Sequence, residues 1–323
     1  MQNHADFVTE SKLASTLAGV AIFSALTTFA LRFIMGNIEP SGFGDAMRAL
    51  CDESTADGPP LYKHAYTGIK FLDDMVCGPT AYFHFAGPPD PVPSFHYFIW
   101  TDAALILLPM IEAKRTGAPF PARWPLVWWQ VYQLVTMGVG KQVFWVLFIV
   151  AQYFGSSSSQ TKSVISGLDA EIVAVSFVLG SVLPTVAFVC FPSISTNAFW
   201  QPFPTWIGIV QVAYGGLRRA VFGRESAYGK GLLRAVGAIA LLASIYAHWT
   251  YLFPILSSEG KLSPMKAAAE DLLKWDLVFE FVGDLLGAFW QRESSWQAVA
   301  PILASVVIGP GAALAGVCIW HTL

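Results

Sequence analysis

The chain has 323 residues, of which 54% are hydrophobic and only 13% charged, with a mean hydropathy of +0.52. About a quarter of an ordinary soluble domain is charged, so this composition cannot make a water-facing surface, and no stretch between the apolar blocks is long enough for a separate soluble core. The formal charge of −3, with no basic stripe interleaved with stacking aromatics, excludes a nucleic-acid partner.

The expected fold is all-α, a multi-span transmembrane bundle of about 7–9 helices, because each crossing needs about 20 mostly apolar residues. Residues 1–323 are expected to form a single integral membrane domain. In chain order the candidate spans are 13–35, 62–86, 96–113, 124–154, 170–191, 199–217, 232–256, 265–290 and 297–321. The first follows a polar, acidic N-terminus, is too long for the apolar core of a signal peptide and meets no clear cleavage site, so it reads as a retained span. The second is the weakest, since it holds Lys63, Lys70, Asp73 and Asp74, and an interfacial or re-entrant helix fits it as well. Loops are expected at 37–61, at the proline-rich 87–93 and at the Ser-rich 155–160. Basic residues gather at Lys114, Arg115 and Arg123 and again at Arg218, Arg219, Arg224, Lys230 and Arg234. The positive-inside rule would put both loops on one side, yet three candidates separate them; 199–217, interrupted by Pro202 and Pro204, is the suspect for one that does not cross.

The four cysteines, Cys51, Cys77, Cys190 and Cys318, lack CxxC spacing, and the six histidines are scattered. Free buried thiols and no metal site are therefore expected. No Asp-Asp-x-x-Asp run, dinucleotide fingerprint, P-loop, HExxH or histidine box occurs, so neither diphosphate ionisation nor a redox or nucleotide cofactor is expected.

Carboxylates inside a bilayer are costly and point to function. The 265–290 candidate carries Asp276, Glu280 and Asp284 at i, i+4 and i+8, which stacks them on one helical face. Two readings fit: a buried acidic face, or an interfacial helix whose wet end is marked by Lys266, Glu270, Asp271 and Lys274. Asp102 lies inside the apolar run 99–110 and Glu112 ends it; Glu112 and Arg115, three residues apart, suit an interfacial pair as well as catalysis. Asp73 is a further acid, and Lys141, midway along 124–154, is the natural partner for one of these carboxylates, because buried charges are normally matched. His248, a possible proton donor, is more simply a satisfied core residue.

Aromatic residues are the second signal. Trp128, Trp129, Trp145, Trp200, Trp249, Trp275 and Phe279, with further rings at Phe144, Phe148, Trp206, Phe281, Phe289 and Trp290, sit within or at the ends of apolar segments. Most such rings only pack, but electron-rich faces in a dry cavity also steady a cation. Acid plus aromatic lining is what proton-initiated cyclisation of a polyene needs: a neutral carboxylic acid protonates an alkene or epoxide, and rings accompany the migrating charge.

Several stretches carry a resemblance: Tyr66-Thr67-Gly68-Ile69 followed by Leu72-Asp73; Ile111-Glu112-Ala113-Lys114-Arg115; Leu183-Pro184-Thr185 leading to Phe199-Trp200-Gln201-Pro202-Phe203-Pro204; and Leu273-Lys274-Trp275-Asp276. Together they resemble the fungal integral membrane terpene cyclases of secondary-metabolite (meroterpenoid) clusters, of the ascofuranone-pathway type. The resemblance implies a multi-span cyclase that closes rings on a farnesyl or epoxyfarnesyl chain, often one carried by an aromatic polyketide. It implies a lipophilic terpenoid or prenylated aromatic substrate, membrane lipid as surroundings and no cofactor, and it brings Asp73, Glu112 and Asp276 forward as acids. The Asn-x-x-Trp-Glu pattern of the smaller seven-span cyclases is absent. A substrate this oily suggests the endoplasmic reticulum. A proton-coupled transporter of a lipophilic metabolite and a non-catalytic membrane scaffold are the alternatives; the lack of internal repeats weighs against the transporter.

Overall fold

The computed structural model describes residues 2–38, 40–51, 68–115, 118–154, 165–223, 225–257, 260–290 and 295–321. Residues 52–61 of the expected 37–61 loop, whose earlier part holds a short helix at Phe43–Cys51, the start of the 62–86 candidate with its Tyr66-Thr67 pair, the connector 155–160 and Arg224 lie outside the described residues. In order come α1 (Gln2–Ile38), α2 (Phe43–Cys51), α3 (Lys70–Ala86), α4 (Pro93–Ala113), a 3-10 turn (Phe120–Arg123), α5 (Pro125–Val135), α6 (Met137–Phe154) and α7 (Gly167–Phe177). A π-helical turn (Val178–Val182) leads into α8 (Leu183–Cys190), followed by α9 (Ile194–Trp200), α10 (Phe203–Phe222), α11 (Gly229–Leu256), α12 (Pro264–Trp290), α13 (Ser295–Ile308) and α14 (Pro310–His321). No strand occurs among the described residues. Among the described residues, five helical stretches are long and apolar enough to cross a bilayer: Lys12–Gly36, Pro93–Ala113, Met137–Phe154, Gly167–Cys190 and Gly229–Leu256. The protein is a helical bundle integral to a membrane.

Proline sets many of the boundaries. Pro93, Pro125 and Pro204 sit in the first turn of their helices, where the missing N–H costs no hydrogen bond. Inside the Gly167–Cys190 stretch, Pro184 has no N–H to return to the carbonyl four residues earlier, and the chain answers with the widened π turn just before it. There Gly180 lies so close to the backbone of Ile207 on α10 that a Cβ would come within 2.5 Å of its nitrogen.

Four sequence expectations need correcting. The 124–154 candidate is two helices, because Thr136 takes φ 73° and ψ 153° between α5 and α6, a region that suits glycine and costs other residues about 1–3 kcal/mol. The 297–321 candidate breaks at Gly309 (φ 90°) ahead of Pro310. The 199–217 candidate starts in the short α9 and continues as α10 after the Gln201-Pro202 break. The cysteines are not all free buried thiols: Cys51 and Cys77 form a disulfide joining α2 to α3, and Cys190 is exposed.

α12 is the hub of the bundle, packed against α6, α1, α3, α4, α13 and α14. Its contact with α6 depends on small residues. Gly283 receives the Gln142 side chain and Gly287 the Trp145 indole, while on α6 Gly140 lies against the Tyr132 ring of α5. A Cβ at Gly287 would fall 2.1 Å from Trp145 Cε2, whereas one at Gly216 on α10 would meet nothing within 4 Å. Overpacking of this kind costs about 1–3 kcal/mol. Gly287→Ala should therefore lower the unfolding temperature in detergent, and Gly216→Ala should leave it unchanged or raise it through helix propensity; thermal unfolding of the two purified variants checks this.

Candidate active site

The carboxylates of α12 divide their work by position along the helix. Glu270, in the second turn, accepts hydrogen bonds from the backbone N–H and the Oγ of Ser94, both 2.9 Å. Ser94 lies in the first turn of α4, so the carboxylate satisfies an N–H that has no partner within that helix and sits at the positive end of its dipole. Asp276 does the same for α6, accepting from Met137 N at 3.2 Å and Gly138 N at 2.6 Å. These contacts hold the chain just after the strained Thr136. Gln142 adds a bond from Nε2 to the Phe279 carbonyl at 2.6 Å.

One turn further along, the face meets a cation. Lys141 of α6, only 2% exposed, places Nζ 2.7 Å from Asp284 Oδ2 and 3.8 Å from Glu280 Oε1. Asp284 Oδ1 also accepts from Trp145 Nε1 at 3.1 Å. Lys141 sits over the rings of Trp129 and Tyr132, 5.4 and 5.6 Å from their centroids, so the electron-rich cage expected of the aromatic residues encloses the protein's own ammonium. Asp102 of α4 is buried and acts electrostatically on Lys141 and Glu280. Neither oxygen of Glu280, which is 0% exposed, has a hydrogen-bond partner among the described residues, nor has Asp102 Oδ1. Three buried carboxylates therefore face one buried cation, and charge balance calls for protons on the remainder.

One cavity borders this cluster and a second runs along another side of α12. The smaller, about 50 Å³, is lined by Lys141, Asp284, Trp128, Trp129, Tyr132 and Trp145 among others and reaches Glu112; it has room for a water molecule or two. The larger, about 700 Å³, lies between α4, α11, α12 and the α13–α14 turn, with Tyr97, His248, Glu270, Trp275 and Phe281 in its wall.

The remaining candidates scatter. Asp73 lies in the first turn of α3 and is half-buried. Glu112 is half-buried and pairs with Arg115 at 3.4 Å. Trp200 belongs to a packed aromatic core with Phe83, Phe188 and Phe203, its Nε1 donating to Thr185 Oγ1 at 3.0 Å. Trp249 is 69% exposed on α11. Phe279 turns toward Phe33 of α1, and Trp275 meets the same ring while lining the larger cavity. His248 Nδ1 lies 3.4 Å from the Tyr97 hydroxyl.

A second buried ion pair escaped the sequence reading. Glu171 of α7 accepts from Arg218 Nε at 3.0 Å, from Tyr228 Oη at 2.9 Å and from the Tyr214 hydroxyl, while Arg218 Nη2 donates to the Glu225 carbonyl at 3.0 Å. The signal was an acid at the head of the apolar run 170–191 and Tyr214 and Arg218 at i, i+4. These bonds tie the α10–α11 turn to α7, a structural task.

Removing one partner of a buried pair costs about 3–5 kcal/mol because a charge is left uncompensated. Lys141→Met should therefore lose most of its folded yield, and Lys141→Met with Asp284→Asn should recover part of it. Size-exclusion profiles of the detergent-solubilised variants, compared with Asp284→Asn alone, test the pairing.

Neither a curated protein nor a solved structure matches the chain. A family model, that of the CtvD domain, matches residues 19–258. The matched stretch holds Asp73, Asp102, Glu112 and Lys141 and ends before α12 with its row of acids. With more than half of its length covered by that match, the chain belongs to the CtvD-domain family.

Proposed function

We propose that the protein is a membrane-bound terpene cyclase that starts ring closure by proton transfer from the buried carboxylates around Lys141. The observation that carries this reading is the surplus of acid: among the described residues Asp102, Glu280 and Asp284 gather about one buried cation, Lys141, and the Glu280 oxygens have no hydrogen-bond donor. Membership of the CtvD family, which is related to fungal meroterpenoid clusters, supports it, as does the resemblance to ascofuranone-type cyclases. An internal membrane such as the endoplasmic reticulum suits the substrate.

Glu280 is assigned as the proton donor. Lys141 and Trp145 keep Asp284 as the anion of the cluster, and Asp102 carries the second proton. The proton passes from the Glu280 carboxyl group to an epoxide oxygen or an alkene carbon of a farnesyl-type chain. The C–O bond breaks, or the π bond opens; the electron pair of the next alkene closes the ring, and the last cation returns a proton to the carboxylates. Mass is conserved, and no oxidant or reductant is needed. The small cavity between Asp284 and Glu112 offers a water path for proton exchange with the surface. Asp276 and Glu270 hold helix ends in this scheme and transfer no proton.

The test is a product assay on microsomes carrying the protein, fed epoxidised farnesyl-phenol and its unepoxidised parent. A new cyclic isomer of unchanged mass is expected. General acid catalysis contributes roughly 10²–10⁴-fold, so Glu280→Gln should lose that much turnover at normal membrane yield, while Asp73→Asn keeps it. Unimpaired Glu280→Gln, Asp284→Asn and Asp102→Asn proteins would overturn the assignment. Metabolite flux into vesicles with no new product would transfer the same acids to a transporter.

A further inference from the structure

The acids of the cluster have little free space beside them, since the ring-lined cavity measures only about 50 Å³. The larger cavity measures about 700 Å³, within the range of sites that enclose small-molecule ligands. Its wall follows α12 from Glu270 to Leu285, about 22 Å at 1.5 Å per residue. It is therefore long and suits an extended chain.

Its two ends differ. At one end are Glu270, whose oxygens already accept from Ser94 but retain further lone pairs, and the Asp271–Lys274 pair, with Nζ 2.5 Å from Oδ1 and both side chains partly exposed. Counting the pair as neutral leaves this rim with one net negative charge. A phosphate would be repelled there, whereas a neutral hydroxyl can donate to the carboxylates. Toward the other end the wall is mainly apolar, with Leu277, Phe281, Val282 and Leu285, and carries the Tyr97–His248 pair. Phe281 packs edge-on to Tyr97 at 6.3 Å. At 3.6 residues per turn, Phe281 and Leu285 stand about 100° round α12 from Glu280 and Asp284, with Leu277 between Asp284 and Phe281. The far end of the cavity is thus separated from the acid cluster by the Phe281 and Leu285 side chains.

We propose that this cavity is the substrate chamber, and that its occupant is a neutral alcohol or phenol bearing a farnesyl-length chain. The hydroxyl sits at the Glu270–Asp271 rim and the chain end lies against Phe281 and Leu285, beside the acids. The assignment rests on the cyclase reading for its chemistry, but the binding it describes is measurable without turnover. A displacement of Phe281 brings the terminal epoxide or alkene to Glu280, so chain length sets which molecules react. Geranyl analogues fall short of the partition, and farnesyl analogues reach it.

The experiment is photolabelling of the full chain in nanodiscs with a farnesyl-phenol carrying a diazirine near its chain end, followed by peptide mapping. Labels are expected on α12 between Leu277 and Leu285 and on α11 near Leu252, displaced by unlabelled farnesyl-phenol and poorly by its geranyl counterpart. Ala267→Trp and Leu285→Trp, which fill the cavity at different depths, should each cut labelling by about tenfold. Glu280→Gln should label normally while losing turnover. Labels on α5 and α6, or labels displaced by phospholipid and not by farnesyl-phenol, would overturn the chamber and its occupant. Product formation without α12 labelling would overturn the chamber and leave the cyclase standing; specific labelling with no product from any terpenoid would do the reverse.

Discussion

A lysine ammonium buried between two helices of a membrane bundle has to be answered by a carboxylate, and in this protein the answer fixes the relation of α6 to α12. Lys141 is held by Asp284 at 2.7 Å and approached by Glu280 at 3.8 Å, with aromatic faces of α5 covering its other side. Neither charge is tolerable alone in hydrocarbon, so helix register follows from electrostatics. The close glycine contacts at Gly283 and Gly287 then let the Gln142 and Trp145 side chains seat. Packing and charge select one arrangement together.

The same helix places carboxylates at the N-termini of two neighbours. Glu270 meets α4 and Asp276 meets α6, and in each case an N–H that would otherwise point unpaired into apolar surroundings is satisfied. These two acids stabilise the bundle as anions. Among the described residues neither oxygen of Glu280 has such a donor, nor has Asp102 Oδ1, and this difference in surroundings separates structural from reactive carboxylates on what looks in sequence like one uniform row. The proposed chemistry starts from Glu280, whose oxygens have no hydrogen-bond partner among the described residues.

Much of this was legible in the sequence and some was not. Helical periodicity alone puts Asp276, Glu280 and Asp284 on one face, and the need for charge matching singles out Lys141, because both rules act locally or on scarce residues. The capping role of Asp276 depends on where α6 begins, and that depends on Thr136 adopting a backbone conformation that no residue-type rule predicts for threonine. The aromatic residues divide for a similar reason. Trp129 and Trp145 gather around Lys141, Trp200 joins a core far along the chain, and Trp249 points outward. Their sequence contexts are alike; only the three-dimensional arrangement tells them apart. The Cys51–Cys77 disulfide likewise joins residues whose spacing matches no local motif.

On this arrangement the cluster around Lys141 stores a proton on a carboxyl group of the folded protein at neutral pH. Infrared spectroscopy of the protein in lipid reads this directly, since a protonated carboxyl group has a C=O stretch distinct from that of a carboxylate. Such a band is expected in the wild-type protein, weakened in Glu280→Gln and unchanged in Asp73→Asn. A spectrum in which every carboxyl group of the wild-type protein is ionised would contradict it.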